Sequence, residues 1–215
     1  MSVRRLLPAV FLGLLVLAAS FSVSHAEDAM LSADKLKALN TPPSMGDKML
    51  GKADAPVTII EYASLTCSHC ADFHKDVLPK LKQTYIDTGK VKLIFRGFSL
   101  NPLDTAAQML TQCAPQDKYF PLVSAFFTTQ KTWALAEDPV AALLQVAKQA
   151  GFTKESFETC LRNQKLLDEI NAVRDKASKE IGVASTPTLF VNGQMHKGAL
   201  TFDALEKLIL TNLKS

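Results

Sequence analysis

The sequence predicts one α/β domain whose β-rich part is interrupted by a block of helices. Two apolar runs rich in β-branched residues, about 57–63 and 91–98, flank a helix that begins at a Cys-x-x-Cys motif. About 80 residues with helical spacing follow. The sequence PTLFVNGQMHKG then predicts a β-hairpin, and a last amphipathic helix ends the chain. Because no linker separates two domains, we interpret the helices as an insertion over about 103–181.

Residues 1–26 have the pattern of a cleavable export signal. Two arginines precede an apolar core over 6–19, and the small residues Ser24 and Ala26 form a signal-peptidase site. An uncleaved membrane anchor is the alternative, since no charged residue lies between 6 and 24. We expect cleavage, which predicts a periplasmic protein that begins at Glu27.

The composition of the mature chain excludes some classes of partner. After the signal peptide is removed, 22 basic and 21 acidic residues remain, with no lysine-rich run and no basic–aromatic patch. This balance argues against a nucleic acid partner. All four cysteines remain: Cys67, Cys70, Cys113 and Cys160. In an exported protein, an even number of cysteines favours disulfide chemistry over zinc binding.

The elements around the motif follow from local signals. Residues 27–55 are mostly polar and interrupted by prolines, which predicts a loop-like N-terminal extension to a domain over 56–215. After the first strand, Thr66 is a predicted N-cap that places Cys67 in the first helical turn. The apolar residues of this helix share one face: Cys70, Phe73, Val77, Leu78 and Leu81. Pro79 predicts a kink, because it cannot donate a backbone hydrogen bond.

Helical spacing predicts five helices in the insertion. Asp138 is a predicted N-cap, and Gly151 and Gly182 mark helix ends. Cys113 lies on the apolar face of the first of these helices and Cys160 on that of the fourth. Two buried free thiols are one interpretation, since cysteine packs well as a small hydrophobe. Because the compartment is oxidising, we hypothesise instead a structural Cys113–Cys160 disulfide.

The Cys-x-x-Cys motif has a physical reason to be a redox centre. Thiolates react, whereas thiols do not, and Cys67 at a helix N-terminus faces unpaired backbone N–H groups and the positive end of the helix dipole. His69 can add positive charge or a hydrogen bond. Each unit by which the pKa of Cys67 falls favours the ionised, reduced form by about 1.4 kcal/mol. Stabilising the reduced form makes the disulfide a stronger oxidant.

The Cys-x-x-Cys spacing also occurs in structural disulfides and in metal sites. A structural disulfide between residues three apart closes a very short loop and stabilises little. Structural zinc is disfavoured because there is no second Cys-x-x-Cys. A copper-handling protein that uses Cys67, Cys70 and His69 stays open as an alternative. Of the other mature histidines, His74 is expected to be a solvated helix residue and His196 has no evident role.

Two segments carry a resemblance to a known family. DAPVTIIEYASLTCSHCADFH and, far downstream, GVASTPTLFVNGQMHKG strongly resemble the DsbA family of thioredoxin-fold proteins. The resemblance covers essentially the whole mature chain and implies a thioredoxin fold with an inserted helical domain. It implies oxidation of exported proteins that are unfolded or partly folded and have free thiols. It also implies re-oxidation by a membrane quinone-linked partner, DsbB. We expect no cofactor and no metal.

The resemblance also implies roles for individual residues. By position, Cys67 matches the exposed nucleophile and Cys70 the buried partner of a redox-active disulfide. Pro187 matches a cis-proline beside the active site, which leaves the backbone of Thr186 free to pair with an extended substrate. An ordinary trans proline is the alternative. Glu61 matches an acid beneath the disulfide with a role in proton relay; a structural residue paired with a lysine is the alternative.

The direction of the redox reaction is less determined by the sequence. The best-known oxidases of the family often have valine where this chain has Thr186, and threonine also occurs there in disulfide isomerases. An isomerase or reductase of the same fold is therefore the alternative. Those isomerases have a separate N-terminal dimerisation domain, for which the roughly 30 residues before the first strand are too few. We predict a monomeric protein-disulfide oxidoreductase that acts as a thiol oxidase.

Overall fold

The computed structural model describes residues 30–214. The predicted signal peptide, 1–26, lies outside these residues. Within residues 30–214, no helix has both the length and the apolar character needed to cross a bilayer.

The centre of the fold is a five-stranded sheet with the strand order β1-β3-β2-β4-β5. Its strands are β1 Lys48–Leu50, β2 Val57–Ala63, β3 Val91–Gly97, β4 Thr188–Val191 and β5 Gln194–Lys197. β2 and β3 are parallel because a helical segment crosses over between them, and the other neighbouring strands are antiparallel. Asn192 and Gly193, between β4 and β5, have φ angles of 45° and 89°, as the predicted Asn-Gly hairpin turn requires.

The prediction of a loop-like segment over 27–55 is wrong for its described part. Helix α1 spans Ala33–Asn40, and β1 is an edge strand of the sheet. Arg96 of β3 holds this segment in place, since its guanidinium donates to both carboxylate oxygens of Asp47, at 2.8 and 2.9 Å, and to the carbonyl oxygen of Leu39 at 2.7 Å. A three-residue strand is too short to show a periodicity in sequence, and long-range contacts stabilise it.

The helical segment between β2 and β3 is irregular. It begins as α2 Ser68–Asp72, passes through a π-helical turn at Phe73–Val77, and continues as α3 Leu78–Leu81 and a second π-helical turn at Lys82–Ile86. Pro79 lies in the first turn of α3, where it cannot donate to the turn before it. The irregularity that Pro79 predicted therefore coincides with a widened turn.

The chain between β3 and β4 is helical, as predicted. Its α-helices are α4 Pro102–Cys113, α5 Tyr119–Thr128, α6 Gln130–Ala134, α7 Pro139–Ala147, α8 Lys154–Leu161 and α9 Gln164–Lys176. α6 is an addition to the five predicted helices. Asp138 caps α7 through its side chain, and Gly151 and Gly182 are left-handed at helix ends. After the hairpin, α10 spans Phe202–Asn212. The predicted α/β domain with inserted helices is confirmed.

The buried apolar side chains form three clusters around the sheet. One fills the helical insertion, where Trp133 is fully buried, and reaches Cys70. The second lies between one sheet face, α3 and α10, and the third between the other face and α1. The residues of the Cys-x-x-Cys motif therefore lie where the insertion meets the sheet.

Candidate active site

Cys67 is the N-cap residue of α2, with extended backbone angles (φ −84°, ψ 121°). The prediction that Thr66 caps this helix is wrong by one residue. The carbonyl oxygen of Cys67 already accepts a helical hydrogen bond from Ala71 N at 3.1 Å. Cys67 is partly exposed and Cys70, one turn on, is fully buried; both are free thiols in the structure. The two sulfur atoms therefore differ strongly in their access to solvent.

The surroundings of Cys67 favour its thiolate. A hydrogen bond from the Cys70 thiol is the largest influence and lowers the pKa of Cys67 to about 5, although partial burial acts in the opposite direction. The side chain of Thr186 and the backbone N–H groups of Cys70 and His69 lower it further. In its protonated form, the Cys67 thiol donates to the carbonyl oxygen of Thr186 at 3.4 Å. The helix N-terminus and the side chain of Thr186 are the groups that stabilise the negative charge of the thiolate.

Cys70 has the opposite character. Burial is the main cause that raises the pKa of its thiol far above the ordinary range, and the hydrogen bond to Cys67 and the negative charge of Glu61 act in the same direction. A Cys70 thiolate is consequently a high-energy species that takes up a proton readily.

Glu61 is fully buried in β2, and its partner is His74. The Nε2 atom of His74 lies 2.9 Å from Oε2 and 3.2 Å from Oε1 of Glu61. The expectation that His74 is solvated is wrong, because its side chain is only 4% exposed. A signal was available in the sequence: His74 follows Cys70 by four residues and so shares the buried face of the helix.

The structure places the side chain of His69 in solvent. This side chain is 76% exposed, and its Nδ1 atom lies 4.0 Å from Asp72. The backbone N–H of His69 is the group that stabilises the Cys67 thiolate.

The peptide bond between Thr186 and Pro187 is cis, immediately before β4. In the sequence, only the family resemblance connects Thr186 and Pro187 with Cys67. The structure brings them together by the contact of Thr186 with the Cys67 sulfur.

Two residues of the insertion hold the loop that carries Cys67. The side-chain amide of Gln130 donates to the carbonyl oxygens of Leu65 and Cys67, at 2.8 and 2.9 Å. The buried carboxylate of Asp104 accepts from Leu65 N at 2.9 Å. Sequence reasoning missed both residues, and no local signal identifies them, because they lie 39 or more positions away from the loop residues that they hold.

Cys113 and Cys160 are joined by a disulfide with a Cα–Cα distance of 6.1 Å. This bond connects the end of α4 to the last turn of α8. No group of three or more histidine, cysteine or acidic side chains suited to hold a metal ion occurs among residues 30–214.

We expect thiolate absorbance of the reduced protein to titrate with an apparent pKa of about 5 for Cys67. The sign follows from the lowered pKa: ionisation of Cys67 stabilises the folded reduced form at higher pH, and this stabilisation is lost as the pH falls through about 5. Thr186→Val removes a group that lowers the pKa and should raise it, whereas His69→Ala keeps the backbone N–H and should change it less. An apparent pKa near 8.5, about that of a free cysteine, would contradict the proposed stabilisation.

The sheet order, the Cys-x-x-Cys motif at the start of the helix after β2, and the cis-proline beside Cys67 together define a thioredoxin-fold dithiol protein. A family model described as thioredoxin matches residues 44–210. The match begins before β1, so the family includes part of the segment that the sequence predicted to be an extension.

Similar proteins and solved structures narrow this class of thioredoxin-fold proteins further. A Rickettsia bellii protein with the provisional name protein-disulfide oxidoreductase is 32% identical over 148 residues, which are 68% of this chain and 57% of the relative. The chain thus spans little more than half the length of that protein. The Bacillus subtilis disulfide bond formation protein D is 26% identical over 179 residues, 80% of each chain. The crystal structure of Wolbachia pipientis α-DsbA1 superimposes with a TM-score of 0.73 at 32% identity, over 82% of this chain and 98% of that one. The chain belongs to the thioredoxin family and, within it, to the DsbA-like proteins.

Proposed function

We propose that this protein is a thiol oxidase that introduces disulfide bonds into exported proteins through Cys67 and Cys70. The asymmetry of the two cysteines is the observation that carries the proposal: Cys67 is partly exposed with a pKa of about 5, and Cys70 is buried with a raised pKa. A stabilised Cys67 thiolate makes the reduced protein the favoured form, so that the Cys67–Cys70 disulfide readily oxidises other thiols. The names of the relatives support the same chemistry.

The proposed reaction has two exchange steps. A substrate thiolate attacks the sulfur of Cys67, the Cys67–Cys70 bond breaks, and Cys70 leaves with the electron pair and takes up a proton. A second substrate thiolate then attacks the substrate sulfur of the mixed disulfide. Cys67 leaves as a thiolate, which its low pKa makes a good leaving group. The substrate gains one disulfide, and the protein is left as the dithiol.

Thr186 and Pro187 are the proposed substrate-binding segment. The carbonyl oxygen of Thr186 lies beside the Cys67 sulfur, at the start of β4. An extended substrate that pairs with this backbone would have its own cysteine next to Cys67.

The compartment and the partners follow from the same reaction. Exported polypeptides with free thiols are the proposed substrates, and a periplasmic location agrees with the export signal predicted over 1–26. The dithiol must be re-oxidised after each turnover, and a membrane quinone-linked partner of the DsbB kind would supply the oxidant. We propose that the protein acts as a monomer.

The reduction potential of the Cys67–Cys70 pair tests the proposal. We expect equilibration in glutathione buffers to give a reduction potential of about −120 mV, as in a strong oxidase. A value near about −270 mV, as in thioredoxin, would instead indicate a reductase. Formation of disulfides in a reduced, unfolded protein whose native disulfides are known measures the proposed activity directly. Stoichiometric copper binding without thiol oxidation would indicate the copper-handling class.

A further inference from the structure

The leaving Cys70 thiolate needs a proton in a place that water does not reach. Cys70 and Glu61 are both fully buried, and the side chain of His74 is 4% exposed. The negative charge of Glu61 acts on the Cys70 thiol, so the two groups are electrostatically coupled. A buried acidic group that acts on Cys70 is therefore suited to supply this proton.

The Glu61–His74 pair is enclosed by aromatic rings. The ring of Phe127 from α5 lies against the imidazole of His74, with a centroid distance of 4.1 Å. Phe95 of β3 and Phe73 contact it edge-on, with centroid distances of 5.7 and 5.8 Å. In such surroundings, a pair with a net charge is strongly disfavoured. One proton shared between the carboxyl group and the imidazole leaves the pair neutral overall.

Few titratable groups face this pair from the surrounding elements. Cys70 faces it from the same helical segment. Tyr119, at the start of α5, is fully buried. Burial is the main cause that raises the pKa of its hydroxyl group, and the charge of Glu61 acts in the same direction. Tyr119 therefore remains a neutral phenol. From β3 and α5, the facing rings of Phe95 and Phe127 carry no charge.

We propose that His74 is a positioning residue for the proton relay that the family resemblance implies for Glu61, the acid that would supply the proton that Cys70 takes up when the Cys67–Cys70 disulfide opens. This inference rests on the proposed function, since it assigns the proton of that reaction. When a thiolate attacks Cys67, the electron pair of the broken bond goes to Cys70, and the stored proton passes from Glu61 to the Cys70 sulfur. His74 orients the carboxyl group of Glu61 and shares its proton before the transfer. When the dithiol is re-oxidised, Cys70 becomes a thiolate again, and its proton returns to the pair.

A double-mutant cycle with Glu61→Gln and His74→Gln tests this role. The measurement is the rate of opening of the Cys67–Cys70 disulfide by a small thiol in a single turnover, corrected for the thiolate fraction of that thiol and followed from acid to alkaline pH. We expect each single variant to open the disulfide at least about tenfold more slowly at neutral pH and to lose the pH dependence of the parent, since positioned proton transfer contributes about 10²–10⁴-fold. The double variant should be no slower than the slower single variant.

His196→Gln is the matched control. His196 is also a buried histidine, and it lies in the same cross-strand row as Glu61, two strands away across Leu189. Its replacement should leave the corrected rate and the pH profile unchanged. If the effects of Glu61→Gln and His74→Gln multiply in the double variant, or if His74→Gln keeps the pH profile of the parent, the proposal is overturned.

A second measurement needs no variant of His74. Because the stored proton leaves the pair when the disulfide opens and returns when it closes, the imidazole NMR signals of His74 should differ between the oxidised and the reduced form. A His74 signal that is the same in the oxidised and reduced forms at every pH would also overturn the proposal. Both measurements use a small thiol, so an error about the direction or the substrates of the proposed function would leave them unaffected.

Discussion

Replacing Cys70 by serine should reduce the oxidation of substrate thiols to the rate measured without enzyme. The two electrons of a dithiol oxidation need both sulfur atoms, and a serine oxygen cannot form the Cys67–Cys70 bond. Cys67 would remain as a partly exposed thiol that can still be captured as a mixed disulfide when it attacks an activated disulfide, whose other sulfur leaves as a thiolate. Turnover with a reduced, unfolded protein and mass spectrometry of the trapped species measure the two effects.

The same position separates the chemical role of Cys70 from its electrostatic role. The Cys70 thiol is the largest influence that lowers the pKa of Cys67. Cys70→Ala removes this donor and should raise the pKa of Cys67 more than Cys70→Ser, whose hydroxyl can still donate. The double variant Cys113→Ala/Cys160→Ala is the control and should keep its turnover. Full activity in Cys70→Ser would place the redox centre elsewhere.

Removing the second disulfide should lower the free energy of unfolding by roughly 2–4 kcal/mol. The bond joins residues 47 positions apart, and a loop of this length has a large conformational entropy in the unfolded chain. Denaturant unfolding of oxidised Cys113→Ala/Cys160→Ala, compared with the oxidised parent, measures the change. The m-value should rise as well, because the unfolded chain without the bond is more expanded.

Thiol counting provides the control for this comparison. The oxidised parent should show no free thiol in denaturant, and mild reductant should release the thiols of Cys67 and Cys70 before those of Cys113 and Cys160. The order follows from the low pKa of Cys67, about 5, which makes Cys67 a good leaving group and the Cys67–Cys70 disulfide easily reduced. Two free thiols mapped to Cys113 and Cys160 in the oxidised protein would contradict a disulfide there.

Local signals in the sequence predicted most of the architecture. The β-branched runs, the cap at Asp138, the glycines at 151 and 182 and the Asn192–Gly193 turn each depend on neighbouring residues, and the structure has the corresponding strands, helix ends and hairpin. The motif at Cys67 and Cys70 belongs to the same category, because its position at a helix start follows from the preceding strand. The one-residue error at the N-cap is of the size that local capping signals allow.

Elements that depend on distant contacts were not visible in the sequence. α1 and β1 have weak local patterns, and the guanidinium of Arg96 holds their segment through Asp47 and Leu39. Gln130 reaches the carbonyl of Cys67 across 63 positions, which no periodicity encodes. Such contacts exist only after the insertion has packed against the sheet.

Glu61 and His74 show most clearly what the sequence determined and what only the tertiary structure decided. The sequence by itself determined that Glu61 lies in an apolar strand and that His74 follows Cys70 by four residues on one helix. Only the tertiary structure decided that the two side chains meet, with 2.9 Å between Nε2 and Oε2. Periodicity specifies which face of an element a residue occupies, whereas the packing of a helix on a sheet specifies what that face contacts. A buried carboxylate needs a partner, and the fold supplies one that is 13 positions away in sequence.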